Sequence, residues 1–250
     1  MSKLIENDVL NGLNQDNLDI YFFKTVDSTN VFARKTQLNK PFLIVLAEQQ
    51  TAGKGRHGKT WHSPESGNIY LSIKYQAASM VPALSLIIGL LIAEALDETS
   101  GQKINAQLKW PNDVLMDGCK VAGILLETCG IGPSHLNIGI GVNLSILPES
   151  DKIETLSTKP ICLGIEILPM DFLTILANFF AIRLKQFNTS GFKQIRLDWL
   201  KSAANIGKVI TARMPNSEIT GKFVTVDEQG AIVLQADDMK HTIHAADIFF

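Results

Sequence analysis

Three stretches, residues 42–47, 68–75 and 136–144, are apolar runs or alternate apolar with small and polar residues, and they are rich in β-branched side chains. That pattern predicts buried or half-buried strands. Between them lie segments with helical spacing. Asp27 or Ser28 can cap a helix over 30–36, and residues 81–93 form the longest apolar run, predicting a buried helix over 81–97. Residues 113–127 (DVLMDGCKVAGILLE) place Asp117-Gly118 between two apolar runs. This is the pair a tight type I′ hairpin turn selects, so Leu115 and Met116 become hairpin core, Cys119 a small strand residue, and Lys120 starts the returning strand.

The pattern weakens over 147–169, where Pro148, Pro160 and Pro169 mark a loop-rich connection. Three- and four-residue spacing returns over 171–187 and 191–204, predicting two more helices that pack on the sheet. From Ile206 the chain switches to short strands divided by Pro215-Asn216, Glu228-Gln229-Gly230 and Asp237-Asp238. About 45 residues of this kind are too few for confident independent stability, so they predict a small β unit docked on a larger one. The working division is 1–205 and 206–250.

Bulk composition narrows the function classes. With 250 residues, 46% apolar, the chain has enough material for a packed core. A net charge of −2 with scattered lysines and arginines gives no basic face for general nucleic-acid binding. Cys119, Cys129 and Cys162 are odd in number and lack CxxC spacing, which suits a reducing compartment, and the cytoplasm is the simplest assignment. The N-terminal residues contain no signal-peptide core, and 81–93 is too short and interrupted to span a membrane. His241 and His244 are the only close histidine pair, and alternation along a strand puts them on opposite faces, which disfavours a metal site.

Against this near-neutral background, residues 51–61 (TAGKGRHGKTW) combine Gly53, Gly55 and Gly58 with Lys54, Arg56, His57 and Lys59. Glycines permit close backbone approach and the cations raise the local potential, a combination suited to anions. GKGRHG also matches G-x-G-x-x-G, the dinucleotide fingerprint. The context excludes that meaning. Pro64 and Gly67 break the helix that the last glycine should open, and no acid follows between Ser66 and Ala93 to hold a ribose. A second cluster, Lys109-Trp110-Pro111-Asn112-Asp113, adds a cation, a turn and short polar groups, with Lys120 and Gly123 on the hairpin beyond.

The ordered set AEQQTAGKGRHGKTW, LKWPNDVLM, CKVAGILLE and GIGVNLS, preceded by Asp27-Ser28-Thr29-Asn30, resembles the biotin protein ligases across most of 20–145. The terminal strands, with VDEQGAIVL, are similar to that family's small C-terminal domain. The resemblance implies an α+β fold: a mixed β-sheet flanked by helices, of the class II aminoacyl-tRNA synthetase and biotin ligase type, with a C-terminal SH3-like β-barrel. It implies activation of biotin by ATP and Mg2+ to biotinyl-5′-AMP, then transfer to a lysine of a biotin carboxyl carrier protein such as that of acetyl-CoA carboxylase.

By matching positions, the resemblance places biotin against Ser28, Thr29, Asn30, Gln50, Gly53, Lys54, Gly55, Arg56, Lys120 and Gly123. It places ATP against Arg56, Lys59, Trp61, Lys109, Asn112, Lys120 and Asn143, with Trp61 either near the adenine or bracing the loop. Arg56, Lys120 and Asp113 take the catalytic roles, with Asp113 either the base for the carrier lysine or a cap of the Pro111 turn. No dedicated metal ligands are expected, since magnesium arrives with ATP.

The family's loop usually has arginine where this chain has Lys54, which keeps the charge and loses the planar fork, predicting weaker retention of biotin or adenylate. Only about 20 residues precede the catalytic pattern, so no DNA-binding domain or repressor function is expected. A sheet edge near 136–144 is expected to be open for pairing of two copies. Lipoate or octanoyl ligation and non-catalytic biotin binding are the alternatives.

Overall fold

Why β7 (His135–Val142) is built of alternating isoleucine and glycine becomes plain from its place in a seven-stranded mixed sheet. The computed structural model of the chain describes residues 18–65, 67–76, 83–101, 104–129, 135–147 and 158–250. The first 17 residues, the start of the 81–97 helix and residues 148–157 of the 147–169 connection therefore lie outside the described residues.

In chain order the elements are β1 (Leu18–Val26), α1 (Thr29–Lys35), β2 (Phe42–Gln50), β3 (Ile69–Gln76), α2 (Leu84–Ser100), β4 (Gln107–Lys109), β5 (Asp113–Met116), β6 (Cys119–Thr128) and β7. The strands are ordered β1-β2-β3-β7-β6-β5-β4. The first pair is parallel, bridged by α1, and all others are antiparallel. The mixed sheet expected from the resemblance is present.

The predicted hairpin lies over β5 and β6, with Asp117 and Gly118 at φ 51° and 74°, the two positive values a type I′ turn needs. Ser28 rather than Asp27 caps α1, accepting from the Val31 N–H at 3.4 Å. The edge expected at 136–144 is absent: β7 pairs with β3 on one side and β6 on the other, so its ladder groups are used. The ends of the sheet are β1 and β4. The expectation failed because an apolar alternating strand says which faces are buried and nothing about whether its two edges are occupied.

β1 itself was not anticipated from sequence. Past Leu18 its residues are partly buried or exposed, since an edge strand has one neighbour. Its aromatics Tyr21 and Phe23 pack on Phe32 of α1, with ring centroids at 5.3 and 4.8 Å.

Register divides the central strands by face. Ile138, Ile140 and Val142 stand opposite Ile73, Leu71 and Ile69 of β3 and pack in the main core with α2. Asn137, Gly139 and Gly141, opposite Lys74, Ser72 and Tyr70, point the other way, towards α1 and the cavity described below. One face is thereby a hydrophobic floor for helices and the other is stripped of bulk.

Two further helices, α3 (Pro169–Ser190) and α4 (Phe192–Lys201), continue the α2 layer. Arg183 ties it together by bonding Glu94 of α2 and Asp198 of α4. Among the described residues no helix is long and apolar enough to cross a membrane.

The chain then pairs briefly with β4, through Leu108 N–H to Ser202 C=O at 2.7 Å and Ala204 N–H to Leu108 C=O at 2.9 Å. It enters a five-stranded antiparallel sheet, β8 (Val209–Met214), β9 (Ser217–Val226), β10 (Ile232–Ala236), β11 (Met239–Ile243) and β12 (Asp247–Phe249), ordered β11-β10-β9-β8-β12. This unit is docked, as its size suggested. Ile210, Phe223 and Ile232 belong to the same buried apolar cluster as α2 and the large sheet. Arg196 of α4 donates to the Val226 carbonyl at 2.6 Å, and the Trp110 indole donates to the Gly230 carbonyl at 2.9 Å.

Gly230 sits at φ +87°, and a Cβ there would lie 2.8 Å from the Ala83 Cα. Gly230→Ala is expected to lower unfolding free energy by about 1–3 kcal/mol through that strain, read by urea denaturation.

Candidate functional site

Above the glycine positions of β6 and β7 lies a cavity of about 190 Å³. Its walls come from both ends of the chain: the start of α1, the hairpin over residues 53–61, the turn after β4, β6, and Asp247 and Ile248 of β12. Of the residues the sequence singled out, Ser28, Thr29, Asn30, Gln50, Lys54, Gly55, Arg56, Lys59, Trp61, Lys109, Asn112, Asp113, Lys120, Gly123 and Asn143 all line it. Gly53 does not. It is buried behind the wall, where a Cβ would lie 2.3 Å from the Trp61 carbonyl oxygen, so its place in the structure is set by packing.

The glycine-rich segment forms a small hairpin. Trp61 N–H donates to Gly53 C=O at 3.0 Å and Gly55 N–H to Lys59 C=O at 2.7 Å, with a one-turn 3-10 segment at Arg56–Gly58. This settles why the dinucleotide template misleads: the backbone donors are turned into the hairpin instead of being aligned at a helix start. The hairpin returns Trp61 onto the sheet. Gly123 and Gly141 are cross-strand partners, and the indole lies over them; a Cβ on Gly141 would sit 2.3 Å from the ring.

At one end the α1 N-terminus is held by a polar network. The Gln50 side-chain oxygen accepts from the Thr29 N–H at 2.9 Å and from its hydroxyl at 3.0 Å. Gln50 then donates to Ser63 at 2.8 Å, while Ser72 donates to the Thr29 hydroxyl at 2.9 Å. Asn30 differs: the residue is 4% exposed, yet neither side-chain amide atom has a partner. Below it, fully buried Asn137 donates to the Asn30 carbonyl at 3.2 Å and keeps its own oxygen unpaired. Buried amide atoms without partners are costly, so this end is suited to a ligand carrying both donors and acceptors.

At the other end cations gather. Lys120 Nζ lies 2.7 Å from Asp113 and over the Trp61 ring at 5.3 Å. Arg56 donates to the Asn112 side-chain oxygen at 3.0 Å, and Asn112 in turn donates to the Ile124 carbonyl at 2.9 Å. Lys109 is 6% exposed, donates to the Thr158 hydroxyl at 2.8 Å and lies over the Phe250 ring at 4.6 Å. Burial pushes the Lys109 amine below the usual lysine range, with Asp113 pulling it back up. Arg56, His57 and Lys59 converge on Asp247, at 3.6, 3.8 and 3.7 Å. The arrangement is a narrow slot with an amide-lined end and a cationic end, able to hold an uncharged polar head at one extreme and a polyanion at the other.

A biotin–[acetyl-CoA-carboxylase] ligase of Paracoccus denitrificans is 40% identical to the chain over 237 residues, covering 90% of this chain and 97% of that protein. The chain belongs to the biotin protein ligase family. The Biotin/lipoate A/B protein ligase family matches residues 22–144, and the Biotin protein ligase C terminal domain matches 206–250. A biotin–[acetyl-CoA-carboxylase] ligase of Mycobacterium tuberculosis is 28% identical over 214 residues, 82% of this chain and 78% of its own length. Among solved structures, the Aquifex aeolicus biotin protein ligase in complex with biotin and ATP superposes with a TM-score of 0.78 at 26% identity, covering 92% of this chain and 97% of that one.

For this biotin ligase family member, sequence reading did not find Thr158, Pro160, Asn137 or Asp247. Thr158 and Pro160 come from the connection after β7, whose 158–163 part runs beside β6 through Lys120 N–H to Lys159 C=O at 2.7 Å and Ile161 N–H to Lys120 C=O at 2.9 Å. Asn137 carried one usable signal, a polar residue at an inward position followed by only small and apolar ones to the end of the strand. Asp247 carried none, being one acid among several in the terminal strands.

Gly141→Ala is expected to expel the Trp61 indole from the sheet, with overpacking of about 1–3 kcal/mol if the ring is retained. Tryptophan fluorescence should shift to the red while far-UV circular dichroism is preserved; an unchanged emission maximum would show that the ring tolerates the methyl group.

Proposed function

We propose that the chain activates biotin with MgATP and transfers the biotinyl group to a lysine of a biotin carboxyl carrier domain, and that the residues gathered around the slot carry both steps. The single observation that carries this reading is the polarity of the slot: unpaired Asn30 amide atoms at one end, Arg56, Lys59, Lys109 and Lys120 at the other. A cyclic urea offers one carbonyl acceptor and two N–H donors, which complement an amide donor and an amide acceptor. Its carboxylate then points along Trp61 towards the cations.

In the first step a carboxylate oxygen of biotin attacks the α-phosphorus of ATP, the bond to the bridging oxygen breaks, and pyrophosphate leaves. Two anions meet, so fixed positive charge is required both for approach and for the charge developing on the leaving group. Lys120, held by Asp113 and Trp61, and Arg56, held by Asn112, are fixed before substrate arrives. Pre-orientation of this kind avoids reorganisation during reaction. Magnesium would enter on the phosphates of ATP as part of the substrate.

In the second step the neutral amine of the carrier lysine attacks the acyl carbon, an amide forms, and AMP departs with the electrons of the acyl–oxygen bond. Asp113 is the acid nearest Lys120 and its carboxylate is partly accessible, which suits it to take the amine's proton. Lys54 is exposed at the hairpin and lines the slot, offering a charge without arginine's two-pronged grip.

Incubating the protein with biotin, MgATP and a biotin carboxyl carrier domain is expected to give one biotinylated lysine and biotin-dependent ATP–pyrophosphate exchange. Exchange dependent on lipoate or octanoate in place of biotin would move the substrate assignment to the other branch of the family. Asp113→Asn is expected to slow transfer from preformed biotinyl-5′-AMP about 10²-fold or more. Transfer at the wild-type rate would remove Asp113 from the base role.

A further inference from the structure

The cationic end of the slot already holds an anion of the protein's own. Asp247 starts β12, where it stands opposite Arg213 of β8, and the next residue, Ile248, is buried. That buried neighbour and the ladder fix the backbone, so the carboxylate is presented to the slot from the C-terminal unit. One of its oxygens lies 3.6 Å from Arg56 and 3.8 Å from His57, and the other 3.7 Å from Lys59. It also acts through space on Lys109, raising that amine's affinity for its proton.

We infer that Asp247 is a resident counter-ion, occupying the loop's cations until the phosphates of the nucleotide displace it, so that it sets the affinity for ATP without touching biotin. This rests on the assignment of Arg56 and Lys59 to the nucleotide. The argument is one of charge and exposure. Without a neighbouring anion, Arg56, Lys59 and Lys109 would repel one another across a small cavity, which disfavours the closed arrangement of the loop. A deeply buried carboxylate would hold them too firmly to exchange. Asp247 has a side chain 36% exposed and Lys59 one 50% exposed, so that contact is a weak, solvated ion pair, while Arg56, 24% exposed, is held at 3.6 Å without a hydrogen bond to the carboxylate. A triphosphate brings more charge and more acceptor oxygens to the same donors and wins the competition. Arg56 keeps its second anchor, the Asn112 oxygen at 3.0 Å, and is not lost from the slot when Asp247 is released.

Asp247→Asn keeps the side-chain shape and removes the charge. In biotin-dependent ATP–pyrophosphate exchange it is expected to lower the KM for ATP and the inhibition constant of pyrophosphate about three- to tenfold, the range for losing a few exposed ion pairs, with the KM for biotin unchanged. Asp247→Ser, compared by circular dichroism and melting temperature, guards against a local effect of the asparagine amide, and Asp247→Glu should restore wild-type values. An ATP KM that is unchanged or raised in both neutral variants would overturn the inference, because a carboxylate that only braces the hairpin can weaken nucleotide binding on removal and never strengthen it. Arg56→Ala and Lys59→Ala separate the two levels. If they raise the ATP KM while the Asp247 variants do nothing, only the counter-ion role fails; if they leave the ATP KM untouched, the nucleotide assignment itself fails.

Discussion

A strand has two faces and no freedom to mix them, and the site depends on that constraint in β7. Ile138, Ile140 and Val142 must face the helices, because a one-residue slip would turn every one of them into the cavity. The intervening positions are thereby committed to the opposite face, where Gly139 and Gly141 leave room and Asn137 supplies a polar group below Asn30. Core and slot are therefore the two sides of a single register. β3 and β6 follow it, with Ser72 and Gly123 on the slot side and Leu71 and Ile124 in the core.

Electrostatics sets the second demand. The lysine and arginine side chains that line a cavity of about 190 Å³ need counter-charge before any substrate is present. The molecule meets it in two different ways. Lys120 is paired with Asp113 within the same hairpin, a local solution in which both partners are largely sheltered. Arg56 and Lys59 are paired with Asp247, 191 and 188 residues further along, a solution available only because the small sheet docks beside the loop. The same docking explains Trp110, whose indole reaches across to the Gly230 carbonyl and joins the motif that carries Lys109 and Asn112 to the C-terminal unit.

How much of this was legible in advance differs by the kind of interaction. The strands over 42–47, 68–75 and 136–144 and the Asp117-Gly118 turn could be read because side-chain alternation and positive φ are local properties. Helix ends were less accurate: α2 runs to Ser100, three residues past the expected limit, ended by Gly101 at φ 65°. The polar tail of that helix fades from the apolar pattern while its backbone continues. The expected free edge at 136–144 failed for a related reason, since pairing partners are chosen by distant segments. Motif residues such as Arg56, Asn112 and Lys120 were found because short spacings carry them, whereas Asn137 comes to lie beneath Asn30 by strand register, and Thr158 and Asp247 reach the slot by packing of remote segments.

By itself, then, the sequence determined which residues are chemically capable of handling an anion, the α+β character of the chain, the turn that presents Lys120, and the family to which the motifs point. Those are matters of residue type and near-neighbour geometry. Only the tertiary structure decided that the glycine-rich segment is a hairpin seated on a glycine pair, that Asn30 is left with unpaired amide atoms while Thr29 and Gln50 satisfy each other, and that Asp247 faces the loop's cations. Each depends on contacts between residues tens to hundreds of positions apart, where burial, register and charge are settled by the whole fold at once.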